Sequence, residues 1–119
     1  MANDFIRICT PDISNSSNST IYAVPAGASS AALESIVIGI TMANKTSSGV
    51  TASIFIDNED GSNDVFIVKD ASIPAGASLE VMSGNKLVLQ NDGTNGDNLE
   101  AIASAANSVD VTVSILQDV

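Results

Sequence analysis

Four carboxylates in the stretch DNEDGSND, at residues 57–64, are the side chains best suited to chemistry. They offer hard oxygen ligands of the kind that Ca²⁺ takes: Asp57, Glu59, Asp60 and Asp64. Their spacing does not fit an EF-hand loop. Aligning Gly61 with the sixth loop position places Ile56 at the first and Ile67 at the twelfth, where carboxylates are needed. We therefore interpret the stretch as a solvated hairpin tip and predict no metal.

The other reactive side chains are too few for the common catalytic arrangements. The chain has no His, so neither a Ser/His/Asp nor a Cys/His group can be assembled. Its single cysteine, Cys9, has no partner for an intramolecular disulfide, and we interpret it as a small buried thiol. Glycoside hydrolysis usually needs aromatic platforms, and the chain has three Phe, one Tyr and no Trp. We predict no enzyme, no catalytic residue and no cofactor.

Length and charge exclude further classes of protein. A chain of 119 residues leaves room for one domain, and 45% apolar with 15% charged residues fits a packed globule. The net charge of −10 would repel phosphate backbones, so we expect no nucleic-acid partner. No stretch approaches the roughly 20 apolar residues that cross a bilayer, and the start lacks the pattern of a signal peptide. We expect no membrane association and synthesis in the cytoplasm.

The elements that must position any site are strands, because apolar and polar residues alternate in short runs. Residues 36–42 place Ile36, Ile38, Ile40 and Met42 on one face, and we predict that this run pairs with residues 50–57 as a hairpin. A strand resumes after the acidic loop at residue 65. A second hairpin is predicted from the runs at 78–82 and 86–90, which a turn separates. Residues 109–116 form the clearest strand, with one solvated face.

These runs predict an all-β fold, either an antiparallel β-sandwich or a small β-barrel of about seven or eight short strands. Two Ala-rich segments, residues 29–34 and 99–106, leave a helical alternative open, because Ala is the best helix former. The motif PAGAS occurs twice, at residues 25–29 and 74–78. Its Pro fixes φ and its Gly accepts positive φ, so we predict the same structural corner before a strand at both copies.

The N-terminal segment, residues 1–20, is predicted to be an extended arm or edge segment beside a single β domain at residues 21–119. Pro11 and a Ser/Asn-rich run separate its apolar residues from the first clear strand. Two interpretations stay open. The segment is either an edge strand of its own domain or an arm that adds to a neighbour's sheet through main-chain hydrogen bonds. Its interface candidates are Phe5, Ile6 and Ile8.

Three stretches carry a resemblance to a known family. They are PAGAS before a strand, IVKDASIPAGASLEVMSGNKLVLQ at residues 67–90, and SAANSVDVTVSILQ at residues 104–117. Together they resemble small virion structural proteins of tailed bacteriophages, including those of marine and cyanobacterial hosts. The resemblance covers roughly the C-terminal two thirds of the chain. The Ser/Asn-rich start lies outside it.

The resemblance implies a β-rich accessory subunit of the virion, made in the cytoplasm of a bacterial host and without catalytic residues. We expect a capsid decoration or cement protein whose partners are other virion proteins, the major capsid protein first, and which forms a homo-oligomer in the particle. A tail, neck or baseplate component is the alternative. A small carbohydrate-binding module is a further alternative, because small sandwiches often serve that purpose.

Overall fold

The computed structural model describes residues 3–57, 64–82 and 86–118. Within these ranges nine strands form two antiparallel sheets. In chain order the strands are β1 (Asn3–Thr10), β2 (Ser19–Ala23), β3 (Leu33–Asn44), β4 (Val50–Asp57), β5 (Asp64–Ile73), β6 (Ser78–Glu80), β7 (Leu87–Asn91), β8 (Asn98–Ala103) and β9 (Val109–Asp118). One short 3-10 turn, Ala28–Ser30, precedes β3.

The two sheets form a sandwich around one apolar core. The first sheet has the order β1-β9-β3-β6, with β7 also paired to β3, and the second has the order β2-β8-β4-β5. The described strands do not close into a barrel. The predicted all-β sandwich is therefore confirmed. Strand β2 was not predicted from the sequence. Its bulge between Thr20 and Tyr22 buries two successive residues and so removes the alternation of apolar and polar side chains.

The clearest predicted strand, β9, lies inside the first sheet between β1 and β3. Its buried side chains are Val109, Val111, Val113 and Ile115. Thr112 and Ser114, between them, are exposed, which confirms the predicted solvated face. Full burial of a Val or Ile side chain stabilises a fold by about 1.5–3 kcal/mol, so β9 contributes a large part of the core.

The long strand β3 departs from the predicted single face. Its pairing with β9 shifts between Val37 and Gly39, which leaves Ile38 as an extra residue in a bulge. Val37 points into the core before the bulge, and Ile40 does so after it. The prediction that Ile36, Ile38, Ile40 and Met42 share one face is therefore wrong: Ile40 and Met42 are buried, whereas Ile36 is half-buried and Ile38 is exposed.

The hairpins predicted from residues 36–42 with 50–57 and from residues 78–82 with 86–90 are wrong. Strands β3 and β4 lie in different sheets, so residues 45–49 carry the chain across the sandwich. Strands β6 and β7 do not pair with each other. Each instead pairs with its own part of β3, β6 with residues 41–43 and β7 with residues 33–37. Strands β4 and β5 do form a hairpin, with Asp57 opposite Asp64, and residues 58–63 of the tip predicted at residues 57–64 lie outside the described residues.

The helical alternative is wrong at both Ala-rich segments. Residues 29–34 contain the end of the 3-10 turn and the start of β3. The segment at 99–106 begins in β8, where Leu99, Ala101 and Ala103 are buried at alternate positions. Tertiary burial on a two-residue period overrides the helix propensity of Ala here.

The two PAGAS copies take different conformations, contrary to the prediction. In the second copy Gly76 has φ +69°, and the Ala77 amide donates to the Pro74 carbonyl oxygen at 3.0 Å, as in a tight turn. In the first copy Gly27 has φ −71°, and the chain instead turns at Ser29 and Ser30, both with positive φ.

The first copy is shaped by a neighbouring loop. Gly93, with φ +101°, lies so close that a Cβ there would stand 2.1 Å from the Ser30 carbonyl oxygen. Gly96 is also tightly placed, because a Cβ there would lie 2.6 Å from the Asn91 side-chain nitrogen and 2.8 Å from the Val24 carbonyl oxygen. The loop at residues 92–97 therefore packs directly on the backbone of the first PAGAS segment, a contact that the second copy does not share.

The N-terminal residues 3–10 form β1, which pairs with β9 along its whole length. The predicted division after residue 20 falls inside β2, and a separate role for residues 1–20 stays a prediction. Cys9 is exposed, so its interpretation as a buried thiol is wrong. It lies on the same outward-facing register as Phe5 and Arg7, whereas Ile6 and Ile8 take the inward positions.

Candidate assembly interface

The three predicted interface residues lie on opposite faces of β1. Phe5 is 77% exposed and points away from the core. Ile6 and Ile8 are half-buried and pack against the core of their own domain. Because side chains alternate along a strand, one regular strand cannot present all three to a partner on the same face. Phe5 is thus the accessible member, and the role of all three in an interface stays a prediction.

Phe5 begins a row of apolar side chains that crosses the outer face of the first sheet. The pairing places Phe5 opposite Leu116, Leu116 opposite Ile36, and Ile36 opposite Val88. Leu116 and Ile36 are half-buried, and Val88 is 52% exposed. At a strand spacing of about 4.8 Å, the row spans roughly 14 Å across four strands. We call these four residues the apolar row.

Sequence reasoning missed three members of the apolar row. Each stands next to a residue that faces the core: Leu116 follows Ile115, Val88 lies between Leu87 and Leu89, and Ile36 precedes Val37. Such consecutive apolar residues signal that both faces of a strand are apolar. That signal could have marked the strands, but the alignment of the residues into one row depends on strand register.

Charged residues border the apolar row. Arg7 is exposed on β1, two positions from Phe5, and Glu34 is exposed on β3, two positions from Ile36. Lys86 is exposed two positions before Val88. A contiguous apolar surface with a polar rim is typical of a protein–protein interaction site.

A second group of exposed apolar residues lies on the edge strand β5 of the other sheet. Val65 and Phe66 are 49% and 44% exposed. The Phe66 ring packs against Phe55, with centroids 5.0 Å apart, and the Lys69 amine lies 5.1 Å from its centre. This group is partly covered by residues of its own chain, and the cation–π contact places a charge directly over it.

An ion-pair cluster fixes the chain immediately after β1. The Lys45 amine pairs with carboxylate oxygens of Asp12 and, at 2.8 Å, of Asp110. The Asp12 amide also donates to the Asp110 carboxylate at 3.0 Å. These contacts lower the pKa of Asp110, Lys45 first, and raise the pKa of Lys45. The cluster ties the segment after β1 to the start of β9 and the end of β3.

Acidic residues gather where β4 ends and where β5 and β8 begin. Burial raises the pKa of Glu100, and the nearby charges of Asp57 and Asp64 raise it further, against a hydrogen bond that Thr20 donates at 3.3 Å. Among residues 3–57, 64–82 and 86–118, no group of three or more Asp, Glu, Cys or His residues could hold a metal ion. Glu59 and Asp60 of the predicted acidic loop lie outside these ranges, so the prediction of no metal stays a prediction.

An apolar cavity of about 540 Å³ opens at the first PAGAS copy. Its walls come from residues 25–28, residues 31–33 and Gln117 of β9. Gln117 is the one polar side chain among the described residues that line it. A catalytic pocket needs several placed polar groups to orient a substrate, and this lining does not supply them.

No helix in the described part of the chain is long and apolar enough to cross a membrane.

Comparisons with known proteins give no match to a protein-family model or to a curated protein. Among solved structures, the chain is similar to a chain of infectious bursal disease virus, Gx strain, at 13% identity and a TM-score of 0.46. That match covers 97% of this chain and 32% of the virus chain. A chain from the disulfide-linked pili of Bacillus endospore appendages matches at 16% identity and a TM-score of 0.40, covering 99% and 88%.

The STIV MCP is also similar, at 13% identity and a TM-score of 0.29, with 93% of this chain and 48% of that one covered. This chain spans about a third of the length of the infectious bursal disease virus chain. At TM-scores of 0.29 to 0.46, these similarities carry no argument about function.

Proposed function

We propose that this chain is a non-enzymatic structural subunit of a bacteriophage virion that decorates the capsid by binding the major capsid protein. The observation that supports this most is the apolar row, because an apolar surface held across four paired strands offers a partner a fixed shape. The resemblance of residues 67–90 and 104–117 to virion proteins of tailed phages supplies the kind of partner.

Two further features suit a role in contact rather than catalysis. The described lining of the cavity has no side chain that could act as an acid, a base or a nucleophile. The net charge of −10 opposes association between copies of the chain in solution. Association then depends on the limited apolar surface, so it occurs where a matching partner overcomes the repulsion.

The experiment that tests the proposal is the binding of the purified chain to capsids that lack it. Val88→Lys places a charge in the apolar row and is expected to abolish co-sedimentation with capsids, because a buried unpaired charge opposes binding. The matched control is Val65→Lys, which makes the same change at a similarly exposed residue of β5. We expect this control to bind like the native chain. Equal binding by both variants would contradict a role for the row.

Copy number separates the decoration role from its alternatives. Quantitative mass spectrometry of purified virions should find hundreds of copies of a capsid decoration protein per particle, against roughly a dozen for a ring in the tail or neck. Absence from virions would contradict the proposal outright. A specific signal on a glycan array would favour a carbohydrate-binding module instead.

A further inference from the structure

Strand β1 presents an open and regular sheet edge. It pairs with β9 through eight consecutive residues without a register shift, and in the described residues its other side has no strand partner. An open edge exposes a row of unpaired N–H and C=O groups, which can template another strand. Proteins normally interrupt such edges with bulges, prolines or inward charges.

The other edges of the described sheets carry such interruptions or are short. β5 is ten residues long, but it contains two register shifts, and Asp70 within it has φ +50°. β2 contains a bulge, and β6 has only three residues. β7 pairs along five residues. β1 is therefore the longest edge strand without a register shift in the described chain.

We infer that the β1 edge pairs antiparallel with β1 of a second copy of this chain, about a two-fold axis that is perpendicular to the sheet and lies midway between the two Ile6 residues. This arrangement joins the two first sheets into one continuous sheet. It keeps both apolar rows on the same outer surface, because rotation about that axis does not exchange the faces. The inference does not rest on the virion proposal, since it concerns copies of this chain alone.

Charge and overlap select the register. Pairing centred on Arg7 would place two guanidinium groups directly opposite each other, which is unfavourable. Pairing centred on Phe5 would join only residues 3–7. Pairing centred on Ile6 joins residues 3–9 and places Phe5 opposite Arg7 of the second copy, twice by symmetry. A guanidinium over an aromatic face is attractive, and cross-strand neighbours lie close enough for that contact.

The same pattern indicates that the strand which pairs with the β1 edge comes from a second copy of this chain rather than from another protein. Phe5 and Arg7, the aromatic and the cation of β1, stand two positions apart on one face, and the two-fold axis brings each against the other. The edge is thus complementary to itself. With −10 on each copy, mutual repulsion opposes the dimer, and we expect added salt to strengthen it.

Sedimentation equilibrium of the full chain at low and high salt tests the dimer. We expect Phe5→Lys to weaken dimerisation about tenfold, because two cross-strand pairs are lost by symmetry. The matched control, Val88→Lys, lies at the far end of the apolar row and should dimerise like the native chain. The double variant Phe5→Lys/Arg7→Glu places opposite charges across both pairs and should restore the dimer. Phe5 is exposed, so these changes leave the core intact.

The exposed Cys9 gives a direct measure of register, because it is the single thiol of the chain. A nitroxide on each copy lies three residues from the centre of the pairing. The two Cα atoms should therefore be about 20 Å apart, at about 3.3 Å per residue. Centring on Arg7 would shorten this distance by about 7 Å, and centring on Phe5 would lengthen it by about 7 Å. Pulsed electron resonance of labelled chain, first shown to sediment as a dimer, measures the distance between the two nitroxides, which changes with this separation.

The outcomes separate this inference from the proposed function. A native chain that stays monomeric at high salt, or a dimer that Val88→Lys disrupts and Phe5→Lys does not, overturns the edge pairing. A monomeric chain that still binds capsids leaves the virion role standing without the dimer. A β1-paired dimer that never enters particles supports the edge pairing and overturns the virion role.

Discussion

Replacing Asn44 with Ala should destabilise the fold more than any other single loss of a polar side chain in the turn after β3. Asn44 is 2% exposed at the end of β3. Its amide nitrogen donates to carbonyl oxygens of Ser48 at 2.8 Å, Ile73 at 3.0 Å and Pro74 at 3.3 Å. Its oxygen accepts from the backbone amide of Thr46 at 2.9 Å and from the Thr46 hydroxyl at 2.7 Å. One side chain thus joins β3, the crossing turn and the second PAGAS corner.

The size of the effect follows from these bonds. The amide carries two hydrogens, so it makes about two full donor bonds at a time, and its oxygen accepts two more. At about 1 kcal/mol net for each bond, the four together contribute about 4 kcal/mol, and water can replace part of this at the half-exposed Thr46 and exposed Ser48. We expect a loss of about 3 kcal/mol. With an unfolding entropy of about 2.1 cal/mol/K per residue, that lowers the melting temperature by roughly 12 °C.

Thermal and urea denaturation followed by circular dichroism measure this loss. Asn15→Ala is the matched control, because Asn15 is exposed, and it should change stability by less than about 0.5 kcal/mol. A loss below about 1 kcal/mol for Asn44→Ala would refute the reasoning that these bonds hold the turn.

Asn44→Asp distinguishes bonding from packing, because it keeps the volume and the acceptor oxygen. It replaces the donor with a carboxylate oxygen that faces three carbonyls, which raises the pKa of the introduced carboxyl in the folded state. The variant should therefore gain stability relative to the native chain as pH falls through that raised value. A penalty that does not change with pH would point to packing alone.

Three further predictions concern charge, close approach and register. The pKa of Glu100 is raised, by burial first, so its ionised form destabilises the fold and stability falls as pH rises from the ordinary carboxyl value through the raised one. Glu100→Gln should raise the melting temperature at neutral pH and make stability less dependent on pH over that range. A lower melting temperature at neutral pH would contradict this. Gly93→Ala should lose about 2 kcal/mol or more in urea unfolding, because its φ is +101° and its Cβ would overlap the Ser30 carbonyl oxygen, whereas Gly39→Ala, with open space around it, should lose less than about 1 kcal/mol. Deletion of Ile38 removes the bulge residue and leaves every inward side chain of β3 in place, so the melting temperature should change by less than about 4 °C, and failure to fold would refute this reading of the bulge.

The local sequence pattern was sufficient to predict a strand and its exposed face where that strand is regular and covered on one side. The alternation at residues 109–116 predicted both the existence of β9 and its solvated face, because each side chain there has one environment. The same reasoning failed for strand partners. The predicted strands at residues 36–42 and 50–57 follow each other in the chain, yet the five residues between β3 and β4 can either reverse the chain within a sheet or cross the roughly 10 Å between two sheets. Asn44 at the end of β3 donates to Ser48 of the turn and to Ile73 of the other sheet, and no periodicity reports these bonds.

The candidate interface was partly predictable for a related reason. Phe5 could be predicted because it belongs to an apolar segment that Pro11 and a Ser/Asn-rich run separate from the first clear strand, and that needs no knowledge of partners. Leu116 and Val88 are apolar among apolar neighbours, so their exposure depends on which face each strand turns outward. Their alignment with Ile36 depends in addition on the register of two separate pairings. A one-residue slip in either pairing would break the row.

The bulge at Ile38 explains why the apolar surface of the first sheet is confined to one end. If this same sequence formed a regular strand with no bulge and Val37 pointed inward, Ile38, Ile40 and Met42 would all point outward. They would extend an apolar stripe along the exposed face. With the bulge, Ile40 and Met42 are fully buried, and the outward positions beyond it pass to Gly39 and Thr41. An extended apolar stripe would promote unspecific aggregation, whereas a bounded row gives a partner one defined place to bind. The same irregularity that defeated the simple alternation therefore both completes the core and limits the surface available for assembly.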